Sequence, residues 1–163
     1  MSQSPHRLVI DTNVLLSGLV SKTSAARQIV DALQTRKLIP LVSPAVMSEY
    51  RAVLLHPDIL SRFSELTPKR VISALHRLRY VADEVDSSSV RFELPRDPND
   101  AMFVELAIAG SATHIVTLDA DLLTLPNSRA DAGKRFRQRL RKTTIVRPGE
   151  FIAQNESLLE SEP

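Results

Sequence analysis

Four carboxylates stand where a fold could gather them. Asp11 and Asp119 each follow a short aliphatic run directly, Asp100 opens an apolar helical pattern, and Glu49 flanks another. Each has an ordinary structural use when taken alone. An aspartate ahead of a helix caps it, and an acid in the first turn suits the helix dipole. A flank glutamate such as Glu49 pairs with an arginine, here Arg51 or Arg27. Taken together they mean something else. Carboxylates within a few ångströms of one another repel, and one must take up a proton unless a cation is held among them. The chain has no cysteine and only four scattered histidines, so the ligands for such a cation are oxygens. That donor set selects Mg²⁺ or Mn²⁺ over zinc.

The elements that position these acids follow from the pattern of apolar residues. Leu8 to Ile10, Leu38 to Val42, Tyr80 to Val85, Thr113 to Leu118 and Thr143 to Val146 read as strands. Helices are expected over Val14 to Val20, over Ser24 to Thr35, from Ser43-Pro44 to Leu55, over Pro57 to Phe63, and from Thr67-Pro68 to about Tyr80. A further helix begins at Asp97-Pro98-Asn99-Asp100, with Asp97 as cap and Gly110 as its closing glycine. Asp121 to Leu125 forms a helical turn. Strands separated by helices pair in parallel through right-handed crossovers, which predicts a three-layer α/β/α sandwich around a central parallel sheet. Ligands of such sheets sit beyond the carboxyl ends of the strands, where Asp11 and Asp119 fall. The helices at Ser43 and Asp97 follow short connections, so Glu49 and Asp100 can reach the same edge.

A chain of 163 residues, 43% hydrophobic, suits one domain with a real core. The core is expected over about 7–152, with 1–6 and 153–163 as tails. No apolar run approaches the roughly 18 residues of a membrane span, and the N-terminus lacks a secretory apolar region, so a cytoplasmic location without membrane association is expected. Charge is uneven. Asn127 to Lys142 carries seven of the 21 basic residues and one acid, which leaves the rest with 14 basic and 18 acidic residues, a net of −4. A basic segment on an acidic body suits a protein that meets a polyanion.

Four stretches together resemble a known family. IDTNVLLSGL at 10–19, SPAVMSEYRAVL at 43–54, DPNDAMFVELAIAG at 97–110 and THIVTLDADLL at 113–123 look like the four acidic blocks of PIN-domain ribonucleases, in order, and TTIVRPGEFI at 143–152 resembles their last strand. The likeness is strongest to bacterial single-domain PIN proteins, the VapC-like toxin halves of toxin-antitoxin pairs. It implies a PIN-like fold and a metal-dependent endoribonuclease that cuts single-stranded RNA, with a cognate antitoxin as partner. Carried over, the catalytic acids are Asp11, Glu49, Asp100 and Asp119; the Mg²⁺ or Mn²⁺ ligands are Asp11, Asp100 and Asp119, with Asp121 as auxiliary or substitute. Asn13 and Thr117 match the polar positions that orient the first and last acids. Leu118 stands where relatives often have glycine, so either Asp119 or Asp121 faces the metal.

By the same resemblance, Asp11 and Asp100 hold the principal ion, Glu49 orients or deprotonates the attacking water, and the products carry a 5′-phosphate and a 3′-hydroxyl. RNA binding is expected to rest on phosphate contacts, because the chain has no tryptophan and only Phe136 lies among the basic residues. The binding candidates are Arg135, Arg137, Arg139 and Arg141. In a strand these four share a face; in a helix Phe136 and Leu140 share one and the arginines surround it. The apolar residues of Pro57 to Tyr80, including Ile59, Leu60, Phe63, Val71 and Leu75, suggest a homodimer. Two other classes fit less well. A PIN-like module that binds RNA or a partner without cutting would not need the full set of acids. A phosphoacceptor receiver domain would need an aspartate after its middle strand and a late lysine, and here Val42 leads to Ser43-Pro44 and no lysine follows Val116.

Overall fold

The computed structural model describes residues 5–160, and its centre is strand β1 (Arg7–Ile10). Helices α1 (Thr12–Val20) and α2 (Ala25–Gln34) lead to β2 (Ile39–Val42), and α3 (Pro44–Leu54), α4 (Pro57–Arg62) and α5 (Pro68–Val81) lead to β3 (Asp83–Glu84). A long loop and α6 (Ala101–Gly110) then return the chain to β4 (His114–Val116) on the other side of β1. After it come α7 (Ala120–Thr124), α8 (Asp131–Arg139), β5 (Thr144–Val146), α9 (Pro148–Gln154) and α10 (Glu156–Glu160). The strand order is β3-β2-β1-β4-β5, every pairing parallel, with Leu8 opposite both Pro40 and His114.

Consecutive residues of a strand point to opposite faces of a sheet. Leu8 and Val9 in β1, Leu41 and Val42 in β2, and Ile115 and Val116 in β4 are all at most 1% exposed, so both faces are covered. The expected three-layer α/β/α sandwich is what the chain forms. Pro40 is tolerated because the N–H of Ile39 turns toward β1, where it meets the His6 carbonyl. The missing N–H of Pro40 therefore faces the β3 side, where β3 begins only opposite Leu41. Helix starts follow the expected caps: Ser24, Ser43 and Thr67 accept from the N–H groups of Arg27, Val46 and Arg70.

Several boundaries differ from the sequence reading. The strand expected over Tyr80 to Val85 is only Asp83–Glu84, because α5 runs on to Val81 and leaves Tyr80 80% exposed. Gly110 does not close its helix through a left-handed conformation. Ser111 takes that conformation at φ 52°, and a Cβ at Gly110 would lie 2.7 Å from Leu41 Cδ1, so the leucine side chain would have to shift to admit it. The expected tails are shorter than read. His6 packs edge-on against His114 and Phe151, and Leu158 and Leu159 of α10 lie against the core; residues 1–4 and 161–163 fall outside the described residues. Val71 and Leu75 are buried within the chain, and Ile59, Leu60 and Phe63 are partly buried against the same core. No helix among the described residues is long and apolar enough to cross a membrane.

Candidate active site

The strand order reverses between β1 and β4, since the chain leaves β1 toward β2 and later returns to build outward from β4. A crevice opens at such a reversal, beyond the carboxyl ends of the two strands. Asp11 follows β1 there and is 5% exposed. Its Oδ1 accepts the Val14 N–H at 2.9 Å, capping α1, and its Oδ2 accepts the Thr117 hydroxyl and, at 3.4 Å, the Leu118 N–H. Thr117, fully buried after β4, also accepts the Asp119 N–H at 3.0 Å through the same hydroxyl oxygen. Asp119 Oδ1 in turn accepts the Asp121 N–H at 2.8 Å. One threonine thus ties the first acid to the backbone that carries the last. Tyr50, buried on α3, donates its hydroxyl to the Ile10 carbonyl and pins the end of β1.

The DPND segment forms a 3₁₀ turn, Pro98–Asp100, ahead of α6. With three residues per turn, positions i and i+3 eclipse, so Asp97 and Asp100 present their carboxylates on one side. Neither side chain makes a helix-capping hydrogen bond. One oxygen from each of Asp97, Asp100 and Asp119 lies within 4.8 Å of the others. The three carboxylates line a cavity of about 170 Å³ together with Asp11, Glu49 and Asn13, and no basic residue lines it.

The electrostatics follow from that crowding. Burial, then the hydrogen bonds and charges of Asp119 and Asp97, push the Asp100 carboxyl up to about 8. Asp119 moves the other way, held low chiefly by the hydrogen bond from Asp100. The pair therefore shares a proton at neutral pH. Asp11 is also raised, by burial that outweighs its bonds from Thr117, Val14 and Leu118. A cation would relieve the same repulsion that the proton relieves.

The site fits such a cation on two counts. All its charged donors are carboxylates, the preference of Mg²⁺ and Mn²⁺, and one oxygen from each of three of them lies close enough to the others to share an ion. In addition, the Thr12 hydroxyl in the cavity wall is buried without a hydrogen-bond partner. Such a group is rare in a finished interior and is satisfied by a ligand or its water.

Of the acids expected from sequence, Asp11, Glu49, Asp100 and Asp119 meet in one cavity, with Asn13 at its rim. Arg27, a candidate partner for Glu49, pairs with Asp31 instead. Asp121 is not among them. Its carboxylate lies 3.6 Å from Arg96 and lines another cavity, while its N–H donates to the capping carboxylate of Asp119. Asp97, read from sequence as a cap, joins Asp100 and Asp119 in the close group of carboxylates, and Asp11 lines the same cavity. The three-residue spacing of DPND was the signal for it.

The basic segment is helical at α8, with Phe136 and Leu140 buried. Of the four candidate arginines, Arg137 donates to the carbonyls of Pro126 and Ser128, Arg139 donates to that of Arg91, and Arg135 stands 3.8 Å from Glu93. Arg141, past the helix, is exposed.

Comparison with known proteins agrees with this geometry. The family described as PIN domain matches residues 7–121, a span that contains all the acids above. The uncharacterized protein MJ1680 of Methanocaldococcus jannaschii is 26% identical over 159 residues, covering 98% of this chain and 97% of that one. No solved structure matches.

Proposed function

The chain belongs to the PIN-domain family, and from that premise we propose that it is a Mg²⁺- or Mn²⁺-dependent endoribonuclease acting on single-stranded RNA. The observation that carries this reading is the cavity in which five carboxylates meet no cation of the protein's own. Asp97, Asp100 and Asp119 would hold the ion, with Asp11, fixed by Thr117 and the Val14 N–H, as a further carboxylate of the same cavity. When bound, the ion lends positive charge to the scissile phosphate and acidifies water. Glu49, in the same cavity, would take the proton of the attacking water. The water oxygen bonds to phosphorus, the bond to the 3′ oxygen breaks, and that oxygen takes a proton from solvent, giving 5′-phosphate and 3′-hydroxyl ends.

The test is cleavage of a labelled single-stranded RNA by the purified protein. Activity should need added Mg²⁺ or Mn²⁺, vanish in EDTA, and fall by orders of magnitude in Asp100→Asn while the fold is kept. Full activity in EDTA would overturn the reading. We extend the proposal to a role as the toxin of a toxin-antitoxin pair, supported by the likeness of the four acidic blocks to those of single-domain toxins. Expression in a bacterial host should arrest growth, and co-expression of a neighbouring antitoxin frame should restore it. Growth without arrest, with ribonuclease activity intact in vitro, would leave a nuclease that is not a toxin.

A further inference from the structure

A second cavity, of about 470 Å³, adjoins the acidic one and has a different character. It lies between the loop at Glu93 to Arg96, α7 and the start of α8. It is joined to the acidic site through the chain itself: Arg96 precedes Asp97, and Asp121 follows Asp119 by two residues, at most about 7 Å of backbone. Its volume is in the range of small-molecule sites, which are apolar with a few convergent polar groups. Leu94, Pro95 and Leu125 supply the apolar wall.

The polar groups are of both signs. Arg135 projects from α8 with its Nε buried and without a hydrogen-bond partner, and its guanidinium is only loosely paired to Glu93 at 3.8 Å. Arg96 is 85% exposed and equally loosely paired to Asp121 at 3.6 Å. The first turn of α8 opens onto the cavity at Ala130 to Ala132, and its cap residue, Ala130, offers no side-chain acceptor. Donors thus stand beside the carboxylates of Glu93, Asp121 and Asp131. A lone phosphate would meet those three carboxylates unfavourably. A flat, partly apolar group carrying acceptors on one edge and donors on the next would satisfy both sets.

Resting on the ribonuclease reading above, we infer that this cavity receives a guanine base of the RNA, next to the phosphate that is cut. Guanine alone among the four bases offers two adjacent acceptors, O6 and N7, to an arginine fork, and two adjacent donors, N1–H and N2–H₂, to a carboxylate. The extended strand would thread from the carboxylate cavity past Arg96, with one base turned out onto Pro95, as single-stranded recognition requires. Asp121 then belongs to base selection and not to the metal.

Two measurements test this separately from the nuclease itself. In the first, the isotope-labelled full chain in EDTA is titrated with GMP, AMP, CMP and UMP and followed by amide chemical shifts. GMP should shift the amides of Glu93, Arg96, Thr124 and Ala132 and bind at least fivefold more tightly than the other three. Thr124→Trp, which fills the cavity from an exposed position, and Arg135→Ala should each abolish that preference. In the second, a pool of random-sequence RNA is cut in Mg²⁺ and the ends are sequenced. Wild type should show guanine at one fixed position beside the cut at tenfold or more over its occurrence in the pool, falling to within twofold in Arg135→Ala. Cleavage without base preference, together with equal or absent nucleotide binding, would overturn this inference and leave the nuclease standing. GMP binding at the cavity with no cleavage would uphold the pocket and overturn the nuclease.

Discussion

Replacing Asp100 with asparagine should make the metal-free protein more stable, and the size of the gain can be worked from the site. Asp100 ionises at 3.8 in an ordinary setting and at about 8 here, because it is half-buried and faces Asp119 and Asp97. A raised carboxyl favours the folded state below about pH 4, where both states hold the proton. That contribution is lost as pH rises through about 8, where the folded chain must give the proton up. Taken at full weight, at 1.36 kcal/mol per pH unit, the difference would be roughly 6 kcal/mol. Solvent screens a half-buried group, and Asp119 recovers part by accepting the same proton, so about 1–2 kcal/mol is expected. Asparagine keeps a donor toward Asp119 and carries no charge. In a domain of this size 1 kcal/mol moves the midpoint by about 2–4 °C. Thermal unfolding followed by circular dichroism in EDTA at pH 8.5 should therefore place Asp100→Asn about 2–8 °C above wild type, with the gap closing toward pH 5. Excess Mg²⁺ should reverse the order, because wild type alone gains the binding free energy in full. A variant equal to or less stable than wild type in EDTA at pH 8.5 would refute the crowding on which the site is read.

Thr117→Val removes a buried hydroxyl that donates to Asp11 while keeping the side-chain shape. It should cost about 1.5–3 kcal/mol in urea unfolding and lower the maximal cleavage rate more than RNA binding. His114 is pushed down to about 4 by burial and by His6. The unfolded chain therefore binds the extra proton between about pH 6.5 and 4, and stability is lost as pH falls through that window. His114→Phe, which keeps a ring against Phe151, should flatten the fall by about 1 kcal/mol after screening, read as a smaller drop in urea midpoint between pH 7 and pH 4.5. Neutralising Arg135, Arg137, Arg139 and Arg141 together should lower the slope of log binding against log salt by about 0.7 for each RNA phosphate that no longer meets an arginine. It should also lower the urea midpoint, since Arg137 and Arg139 hold the body through the carbonyls of Pro126, Ser128 and Arg91.

What the sequence made legible was whatever local chemistry decides. Ser24, Ser43 and Thr67 begin helices because a short hydroxyl side chain satisfies a first-turn N–H, and no distant contact changes that. Aliphatic triplets at Leu8 and Ile115 are strands because only a covered parallel sheet buries both faces. Elsewhere more than the local pattern decides. Gly110 ends its helix, yet Ser111 and not the glycine takes the left-handed conformation. KRFRQRLRK suits a strand or a helix, and the burial of Phe136 and Leu140 goes with the helix. Asp97 resembles a cap by every local rule, and its carboxylate is turned into the cavity because the DPND turn is 3₁₀ and brings it level with Asp100.

That last case bears on how such sites are built. Asp11 and Asp119 satisfy the structural and the chemical reading at once. Each cap takes one lone pair from one oxygen, and a carboxylate has about four to offer. The cap bond fixes the side chain in one rotamer, and the bond from Thr117 fixes the second oxygen of Asp11. The helix is stabilised and the ligand is aimed by the same contacts. Asp97 and Asp100 have no such bond, and it is Asp100 whose carboxyl is driven up to about 8. Asp119, which accepts the hydrogen bond of Asp100 and a backbone N–H, is held low, whereas Asp100, brought to the same place without a backbone donor, holds a proton that a cation would displace. Beside Glu49, the cavity thus holds two anchored carboxylates from the strand ends and two from the turn without cap bonds. The crowding at Asp100 makes the empty site unfavourable, and a bound cation would relieve it.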